Sequence, residues 1–209
     1  LTNNIQKELL IINDCSTDSS KDEIECFIRN HPKLNIIFLS HKTNQGKGGS
    51  IITGLQYVTG EYIIIQDADL ELNPEEINLL LTPVFEKTAN VVYGSRFLKN
   101  NKREKEMILN RLANKFFTWL SNIILNIKLT DMQTCYKLIP TTIIKPIDLV
   151  EKGFAFDPEI TAKLAKNKNV KFAEVSISYE PRTKQEGKKI RWVDGFNQIY
   201  SIVKYGLFK

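Results

Sequence analysis

The sequence predicts an α/β fold: a Rossmann-like, mostly parallel sheet with helices on both faces. Two observations support this prediction. Apolar runs alternate with stretches of helical periodicity over the first half of the chain, and the runs are almost continuously apolar. Strands of parallel sheets have this character because helices cover both faces of the sheet, whereas half-exposed strands alternate apolar and polar residues.

Four strands are predicted in the first half, and each ends in polar residues: ELLIIND, NIIFLSH, EYIIIQD and NVVYGSR. Apolar residues at helical spacing predict helices between and after them, at 19–29, 46–58 and 74–87. Asn73 and Pro74 suit the start of the third helix, because asparagine is a favoured cap and proline fits the first turn.

The pattern changes after about residue 97. A charged loop at 99–105 leads into a long predicted helix at 106–127. The remaining predicted elements are a short strand in TDMQTCYKLIP, a helix at 157–166, an alternating edge strand in FAEVSISYEPR and a closing amphipathic helix in GKKIRWVDGFNQIYSIVKYGL. No linker or repeat interrupts the chain, so we predict one domain over 1–209, with halves at 1–97 and 98–209.

The composition is that of an ordinary globular protein and disfavours several classes. The formal net charge of +5 suits an acidic small molecule, an anionic membrane surface or nucleic acid, but no nucleic-acid-binding motif is present. Three cysteines without a CxxC pair, and two histidines, disfavour a structural zinc site and favour a reducing, cytoplasmic setting. No apolar run approaches the roughly 20 residues that span a bilayer.

Acids stand at alternate positions after the third predicted strand, in QDADLE. Ligands bind beyond the carboxyl ends of parallel strands, so we expect Asp67 and Asp69 in a binding site. Two carboxylates that point the same way from an extended segment need a cation, and hard oxygen ligands favour Mg²⁺ or Mn²⁺. The sequence therefore indicates a diphosphate–metal site. The alternative is that these acids solvate a turn or cap the next helix.

Further polar motifs surround this stretch in a fixed order: NDCSTD, NQGKGG, GEY, YGSR, TDMQTCYKL, FAFDPEI and EPRTKQEGKKIRW. Over nearly the whole chain, this series resembles the family 2 glycosyltransferases with the GT-A fold. Within the family it is most similar to the dolichyl- and polyprenyl-phosphate sugar transferases, the group that includes dolichol-phosphate mannose synthase. The resemblance implies a metal-dependent hexosyltransferase that moves a sugar, with inversion, from a nucleotide-diphosphate sugar to a polyprenyl phosphate. It assigns the donor to 1–97 and the acceptor to 98–209.

The resemblance implies donor-binding roles for the polar residues that follow the first two strands. Asp14 lies in a segment similar to the family's DDGSTD and is expected to bind the base or ribose, although Asn13 and Cys15 depart from that pattern. Three residues of the glycine-rich turn are expected to shape the nucleotide pocket: Asn44, Gly46 and Lys47. A lysine at a helix N-terminus makes a good anion site, and a solvated surface lysine is the alternative.

The resemblance also refines the metal site. Asp69 is expected to be a direct ligand, and Asp67 to bind the metal, a metal-bound water or the ribose. Glu71 stands where the mannosyltransferases often have a glutamine that reaches the metal, so it is expected to be a third ligand. Magnesium and manganese both remain candidates.

Basic residues of the second half are expected to bind the acceptor phosphate. Arg96 and Arg111 resemble the family's phosphate-binding pair, and Asn114 stands where those enzymes have a small hydroxyl side chain. Arg182 and Lys184 resemble a basic loop that closes over the donor diphosphate and the acceptor phosphate. Arginine suits this role because its planar fork binds phosphate oxygens in pairs.

Alternatives remain open at this point. A family 2 transferase that acts on a sugar hydroxyl in cell-surface polysaccharide synthesis would need an acidic base, for which Asp131 and Glu159 are candidates; Asp131 could instead anchor the arginines. The family normally begins with a strand ending in Pro and Asn-Glu, which we expect to be missing here, so a truncated, non-catalytic nucleotide-sugar binder is a further reading. The last helix could contact a membrane surface peripherally or pack on the domain.

Overall fold

Strands and helices alternate through most of the chain. The computed structural model describes residues 5–98, 108–181 and 192–208. The strands are β1 (Leu9–Asn13), β2 (Ile36–Ser40), β3 (Tyr62–Ile64), β4 (Val91–Ser95), β5 (Lys137–Pro140) and β6 (Phe172–Ser176). The helices are α1 (Ser20–Asn30), α2 (Gly46–Leu55), α3 (Ile77–Phe85), α4 (Ile108–Leu125), α5 (Thr141–Ile144), α6 (Phe156–Ala165) and α7 (Trp192–Val203).

The strands form a parallel pair, β1–β2, and a four-stranded sheet of order β3–β5–β4–β6. In the larger sheet β3, β4 and β6 run in one direction, and β5 runs antiparallel to both of its neighbours. The prediction of a mostly parallel sheet is therefore confirmed. The sequence predicted the strand in TDMQTCYKLIP, but not its insertion between β3 and β4.

Helices cover both faces of the four-stranded sheet, as predicted. Along β4, Val91 and Tyr93 belong to a core cluster with Phe156 and Ile160 of α6, on one face. Val92 belongs to a second cluster with Leu80 of α3, on the other face. Successive side chains of a strand point to opposite faces, so a strand covered on both sides must be apolar throughout. This explains why the residues of β4 form a continuous apolar run in the sequence.

The predicted helices are present with shifted ends. A 3-10 turn over Pro74–Glu76 precedes α3, and the side chain of Asn73 accepts a hydrogen bond from the backbone N–H of Glu75 (3.1 Å), which confirms the predicted cap. The short helix α5 was not predicted. A π-helical turn over Lys204–Phe208 extends α7. The charged loop at 99–105 lies outside the described residues.

The last helix packs on the domain through one of its faces. Ile199 and Ile202 of α7 pack with Phe117 of α4, while Phe196 and Tyr200 are exposed. The inner face of α7 therefore packs on the domain, which is the alternative to membrane contact for this helix. Within the described residues, no helix combines the length and hydropathy that a bilayer crossing requires.

Candidate active site

Three of the predicted site residues follow strands at one edge of the sheets. Asp14 directly follows β1, Asp67 follows β3 by three residues, and Arg96 directly follows β4. Because β5 is antiparallel, its beginning lies at this same edge, and this brings Gln133 and Cys135 beside them. The carboxyl-edge position expected for a ligand site is therefore observed.

Asp14 holds the glycine-rich turn in place. One carboxylate oxygen accepts hydrogen bonds from the backbone N–H of Gln45 (2.7 Å) and from the His41 ring (2.7 Å); the other accepts from the backbone N–H of Gly46 (2.7 Å). Burial alone would raise the pKa of Asp14, but these hydrogen bonds outweigh burial and lower its pKa. Asn44 adds a bond from its side-chain nitrogen to the backbone oxygen of Asp14 (3.2 Å).

Backbone geometry explains two residues of these turns. Gly46 has φ +75°, and a Cβ there would lie 2.6 Å from the backbone oxygen of Lys152, so a side chain does not fit. Cys15 has φ +63°, in the left-handed region that favours glycine. Cys15 therefore adopts a backbone conformation that glycine takes more easily, at a cost in backbone strain. Asn13 is satisfied locally through Ser40 and Ser16.

Lys47 connects this turn to the acidic stretch. Its Nζ donates to Oδ2 of Asp67 at 3.0 Å, and the side chain is 23% exposed. Burial would raise the pKa of Asp67, but the charge of Lys47 and its hydrogen bond outweigh burial and lower that pKa. The solvated-lysine alternative is therefore wrong for this structure. Lys47 contacts the carboxylate of Asp67. Its contact with a phosphate of the donor stays a prediction.

The three acids line one small cavity of about 40 Å³. Five further residues from the connecting segments form its remaining walls: Leu72, Arg96, Gln133, Cys135 and Tyr179. The segment that holds the acids is bent rather than extended, because the carboxylate of Asp69 accepts a hydrogen bond from the backbone N–H of Glu71 (3.2 Å). The segment is therefore not the extended one that the sequence suggested, and a turn brings Asp69 and Glu71 to the same cavity.

The cavity fits a cation that takes few protein ligands. Among the described residues, no three acidic, histidine or cysteine side chains converge tightly enough to enclose a metal ion. Mg²⁺ commonly takes one or two carboxylates and completes its shell with water and substrate phosphates. Asp69 and Glu71 supply hard carboxylate oxygens at this cavity, while Asp67 is paired with Lys47. The donor set suits a metal held jointly with a diphosphate.

Arg96 is oriented by Asp131. Nε of Arg96 donates to Oδ2 (2.7 Å), Nη2 donates to Oδ1 (2.9 Å) and the backbone N–H of Arg96 donates to Oδ2 (3.1 Å). Glu174 accepts hydrogen bonds from the backbone N–H groups of Thr130 and Asp131, which fixes the segment that holds this carboxylate. The prediction that Asp131 anchors an arginine is confirmed for Arg96.

The other predicted acceptor residues are not brought to the cavity. Arg111 is exposed on α4, Asn114 is half-buried on the same helix, and neither lines the cavity. Phe97 lies between the two regions: the guanidinium of Arg96 is 5.8 Å from its ring centre, and the ammonium of Lys115 on α4 is 6.0 Å away. Arg182 and Lys184 lie outside the described residues.

Sequence reasoning missed a buried ion pair beneath the cavity. Lys137, at the start of β5, donates to Oδ1 of Asp157 (2.5 Å) and to the backbone oxygen of Thr134, and its side chain is 1% exposed. Cys135 accepts a hydrogen bond from the backbone N–H of Asp67 (2.9 Å), and burial raises the pKa of its thiol to about 12. The signals available in the sequence were a lysine in an otherwise apolar strand and an aspartate in the FAFDPEI motif.

Comparisons with known proteins identify the family of this chain. Residues 3–147 match the model of the family described as Glycosyl transferase family 2. Undecaprenyl-phosphate mannosyltransferase of Micrococcus luteus is 26% identical over 97% of this chain and 83% of its own length. Dolichyl-phosphate beta-glucosyltransferase of Dictyostelium discoideum is 27% identical over 94% of this chain, which spans 60% of that relative.

Solved structures agree on the fold. Glucosyl-3-phosphoglycerate synthase of Mycobacterium tuberculosis, in complex with Mn²⁺, uridine-diphosphate-glucose and phosphoglyceric acid, superposes with a TM-score of 0.68 at 12% identity. The match covers 96% of this chain and 69% of that one. The predicted GT-A fold is confirmed. Since the family model spans more than half of the sequence, this chain belongs to glycosyl transferase family 2.

Proposed function

We propose that this chain moves a sugar, with inversion, from a nucleotide-diphosphate sugar to a polyprenyl phosphate. The names of two relatives specify transfer to undecaprenyl phosphate and dolichyl phosphate. The observation that favours a phosphate over a sugar hydroxyl as acceptor is the commitment of the candidate base Asp131 to Arg96.

A hydroxyl acceptor needs a carboxylate that can take its proton. Asp131 is fully buried and forms a forked ion pair with Arg96. Glu159 is also fully buried, accepts from the backbone N–H groups of Val150 and Glu151, and pairs with a lysine. A phosphate monoester has a second pKa of about 6 and is already mostly an anion at neutral pH. A site whose acids are engaged in this way suits a phosphate acceptor.

Residues 1–97 form the donor half in this proposal. The glycine-rich turn, fixed by Asp14, presents Lys47 and the N-terminus of α2 towards an anionic donor. Asn44 and Gly46 shape this wall, and Asp67 lies 3.0 Å from the lysine at the metal end. Asp14 acts by positioning the turn that receives the base and ribose.

Asp69 and Glu71, with Asp67 beside them, would hold Mg²⁺ or Mn²⁺ together with the donor diphosphate. When bound, the ion would neutralise the negative charge that grows on the departing diphosphate. The mycobacterial synthase structure contains Mn²⁺ together with uridine-diphosphate-glucose, which supports a divalent ion here. The carboxylates of the cavity suit Mg²⁺ and Mn²⁺ equally, because both ions prefer oxygen ligands.

Residues 98–209 form the acceptor half. Arg96, at the junction, positions the acceptor phosphate and reduces its repulsion from the donor diphosphate. The further candidates for contact with the acceptor phosphate are Arg111, Asn114, Arg182 and Lys184. A lipid-linked acceptor would require the reaction to take place at a membrane surface, and our proposal is that the chain attaches peripherally to the cytoplasmic face.

The test is a transfer assay with the chain as it stands. The chain would be incubated with Mg²⁺ or Mn²⁺, labelled uridine- or guanosine-diphosphate sugars and a polyprenyl phosphate, and label would be counted in the lipid fraction. Asp69→Ala should lower transfer at least 100-fold, a typical loss for a group that stabilises charge in the transition state. Glu75→Ala, an exposed acid on the adjacent 3-10 turn, is the control and should leave transfer unchanged.

Three other results would overturn the proposal. Full activity in Asp69→Ala would remove the acidic site from the mechanism. Donor hydrolysis, or transfer to a saccharide without any lipid product, would favour the hydroxyl-acceptor alternative. Absence of donor binding would favour a non-catalytic chain.

A further inference from the structure

Helix α4 has two neighbouring apolar faces, and only one of them is packed. Its inner face places Phe117 with Met132 and Ile202, and Leu120 and Ile124 lie against this cluster. Its outer face has a row of residues, each 46–66% exposed, at positions three or four apart: Leu109, Leu112, Phe116, Trp119 and Ile123. We call these five residues the outer stripe. Spacings of three and four place them on one side of a helix.

The outer stripe is unusual for a surface in contact with water. Two of its members are aromatic and in contact: the rings of Phe116 and Trp119 are 5.9 Å apart. Single exposed apolar residues are normal, but a continuous row along a whole helix marks an interaction site. Within the described part of the chain, nothing covers this row.

The charges on and around α4 indicate the partner. Arg111 and Lys115 are the only charged residues between 108 and 125, and no acid occurs there. The sequence between 99 and the start of the helix, KNNKREKEM, has four basic residues and two acids, and Lys128 follows the helix. An apolar face with aromatic residues and cationic flanks is the composition that binds the interface of an anionic bilayer. A self-association face would need no such excess of one charge.

The helix is also next to the candidate active site. Lys115, one residue before Phe116 of the outer stripe, lies 6.0 Å from the ring of Phe97, and the guanidinium of Arg96, which lines the cavity, lies 5.8 Å from the same ring. A surface that receives the outer stripe would therefore lie beside the guanidinium proposed to bind the acceptor phosphate.

We propose that the outer stripe docks on an anionic lipid surface and brings the cavity to the headgroup level of the bilayer. The purpose of this position, which is access to a lipid-linked acceptor, rests on the proposed function, whereas the docking of the outer stripe does not. Phe116, Trp119 and Ile123 would enter the interface, and Arg111 and Lys115 would lie against lipid phosphates, as long basic side chains do at membrane surfaces.

Vesicle sedimentation tests the docking. The chain should bind phosphatidylcholine vesicles that contain phosphatidylglycerol, and should bind roughly tenfold less to phosphatidylcholine alone, because the cationic flank contributes. Phe116→Ser combined with Ile123→Ser should lower binding by at least about tenfold. Phe27→Ser is the matched control, since Phe27 is 46% exposed on α1, as Phe116 is on α4. Equal loss in both variants, or no binding by the unchanged chain, would overturn the proposal.

Fluorescence locates the contact. The chain has two tryptophans, so a Trp192→Phe variant leaves Trp119 as its sole tryptophan. Its emission should shift to the blue when anionic vesicles are added and should be quenched by brominated acyl chains. An unshifted emission during vesicle binding would show that another surface docks. A dimer in solution that dissociates in Phe116→Ser, without vesicle binding, would assign the outer stripe to a second copy of the chain.

A short-chain, water-soluble polyprenyl phosphate separates the two proposals. The Phe116→Ser/Ile123→Ser variant should transfer sugar to this soluble acceptor at the normal rate and lose transfer to a long-chain acceptor in vesicles. Vesicle binding without transfer to either acceptor would contradict the proposed function and leave docking intact. Transfer to both acceptors by a chain that does not bind vesicles would contradict docking alone.

Discussion

Arg96 and Asp131 form a forked ion pair at the edge of the acidic cavity, with donor–acceptor distances of 2.7 and 2.9 Å. The carboxylate is completely buried, and the arginine side chain is 12% exposed. A fork of this kind fixes the plane of the guanidinium, which a single contact would not do. The structure thus gives Asp131 a positioning role, and this role can be separated experimentally from base catalysis.

Asp131→Asn should weaken use of the acceptor phosphate. Asparagine keeps the shape but offers one acceptor oxygen and no charge, so the fork opens and Arg96 loses its orientation. We expect kcat/KM for the acceptor to fall about 10–100-fold, mostly through KM, with the KM for the donor unchanged. Steady-state kinetics with each substrate varied in turn would measure this split.

A base would behave differently. Loss of a general base lowers kcat by about 10²–10⁴-fold and removes the acidic limb of its pH profile. If Asp131→Asn shows that pattern, with an unchanged acceptor KM, Asp131 is the base and the hydroxyl-acceptor alternative gains support. Asp22→Asn, on the exposed surface of α1, should match the unchanged chain.

Lys47→Met should change metal and donor binding in opposite directions. Lys47 holds Asp67 at 3.0 Å and therefore competes with a cation for this carboxylate. Removal of the ammonium should tighten binding of Mn²⁺ to the free protein by about tenfold, a change that corresponds to about 1.4 kcal/mol. The same change should weaken binding of the nucleotide-diphosphate sugar, because a cation at the phosphate site is lost.

Calorimetric titration of each ligand would measure both constants. Lys42→Met, an exposed lysine a few residues earlier, is the control and should change neither. Weaker Mn²⁺ binding in Lys47→Met would show that the lysine supports the metal site, and would contradict the competition argued here.

Much of the fold was predictable because its signals are local. Continuous apolar runs indicate buried strands, and Asn73 with Pro74 fixes a helix start to within a few residues. The position of β5 was not predictable in this way. Its pairing of Ile64 with Leu138 joins residues far apart in sequence, and no local pattern records which strands become neighbours.

The acids of the candidate site could be predicted from the sequence, but the buried residues that hold the cavity wall could not. Asp67 and Asp69 are recognisable because a short motif holds them beside a strand. Lys137 and Asp157 are 20 residues apart, and each alone resembles a surface charge. The role of Arg111 remains a prediction, since the structure leaves this side chain exposed on α4 and away from the cavity.

Asp14 should make the fold sensitive to acid. Its pKa is lowered in the folded chain by the hydrogen bonds from His41, Gln45 and Gly46, against the effect of burial. A lowered folded-state pKa stabilises the fold above the unfolded value of about 3.9, and this contribution is lost as the pH falls through the folded value. Stability should therefore decline below about pH 4.

Asp14→Asn should remove most of this dependence. At neutral pH the variant should be less stable by about 1.5–3 kcal/mol, the range for hydrogen bonds to a charged group. The gap between the two proteins should narrow as the pH falls below 4. Urea unfolding at a series of pH values would measure it, and two parallel curves would contradict the assignment.

The buried pair of Lys137 and Asp157 should show strong coupling in a double-mutant cycle. Lys137→Met leaves a buried carboxylate without its ammonium and should lower the free energy of unfolding by about 3–5 kcal/mol. Lys137→Met combined with Asp157→Leu removes both charges and should recover much of that loss, because an apolar pair of similar volume needs no desolvation of ions.

Donor binding gives this cycle a second readout. Lys137 also donates to the backbone oxygen of Thr134, directly before Cys135 in the cavity wall. The double variant should therefore regain stability while its affinity for the nucleotide-diphosphate sugar stays low, since the wall is no longer fixed from below. Additive losses of stability would show that the two side chains act independently. Recovery of donor affinity together with stability would show that the pair supports the fold alone and does not shape the cavity.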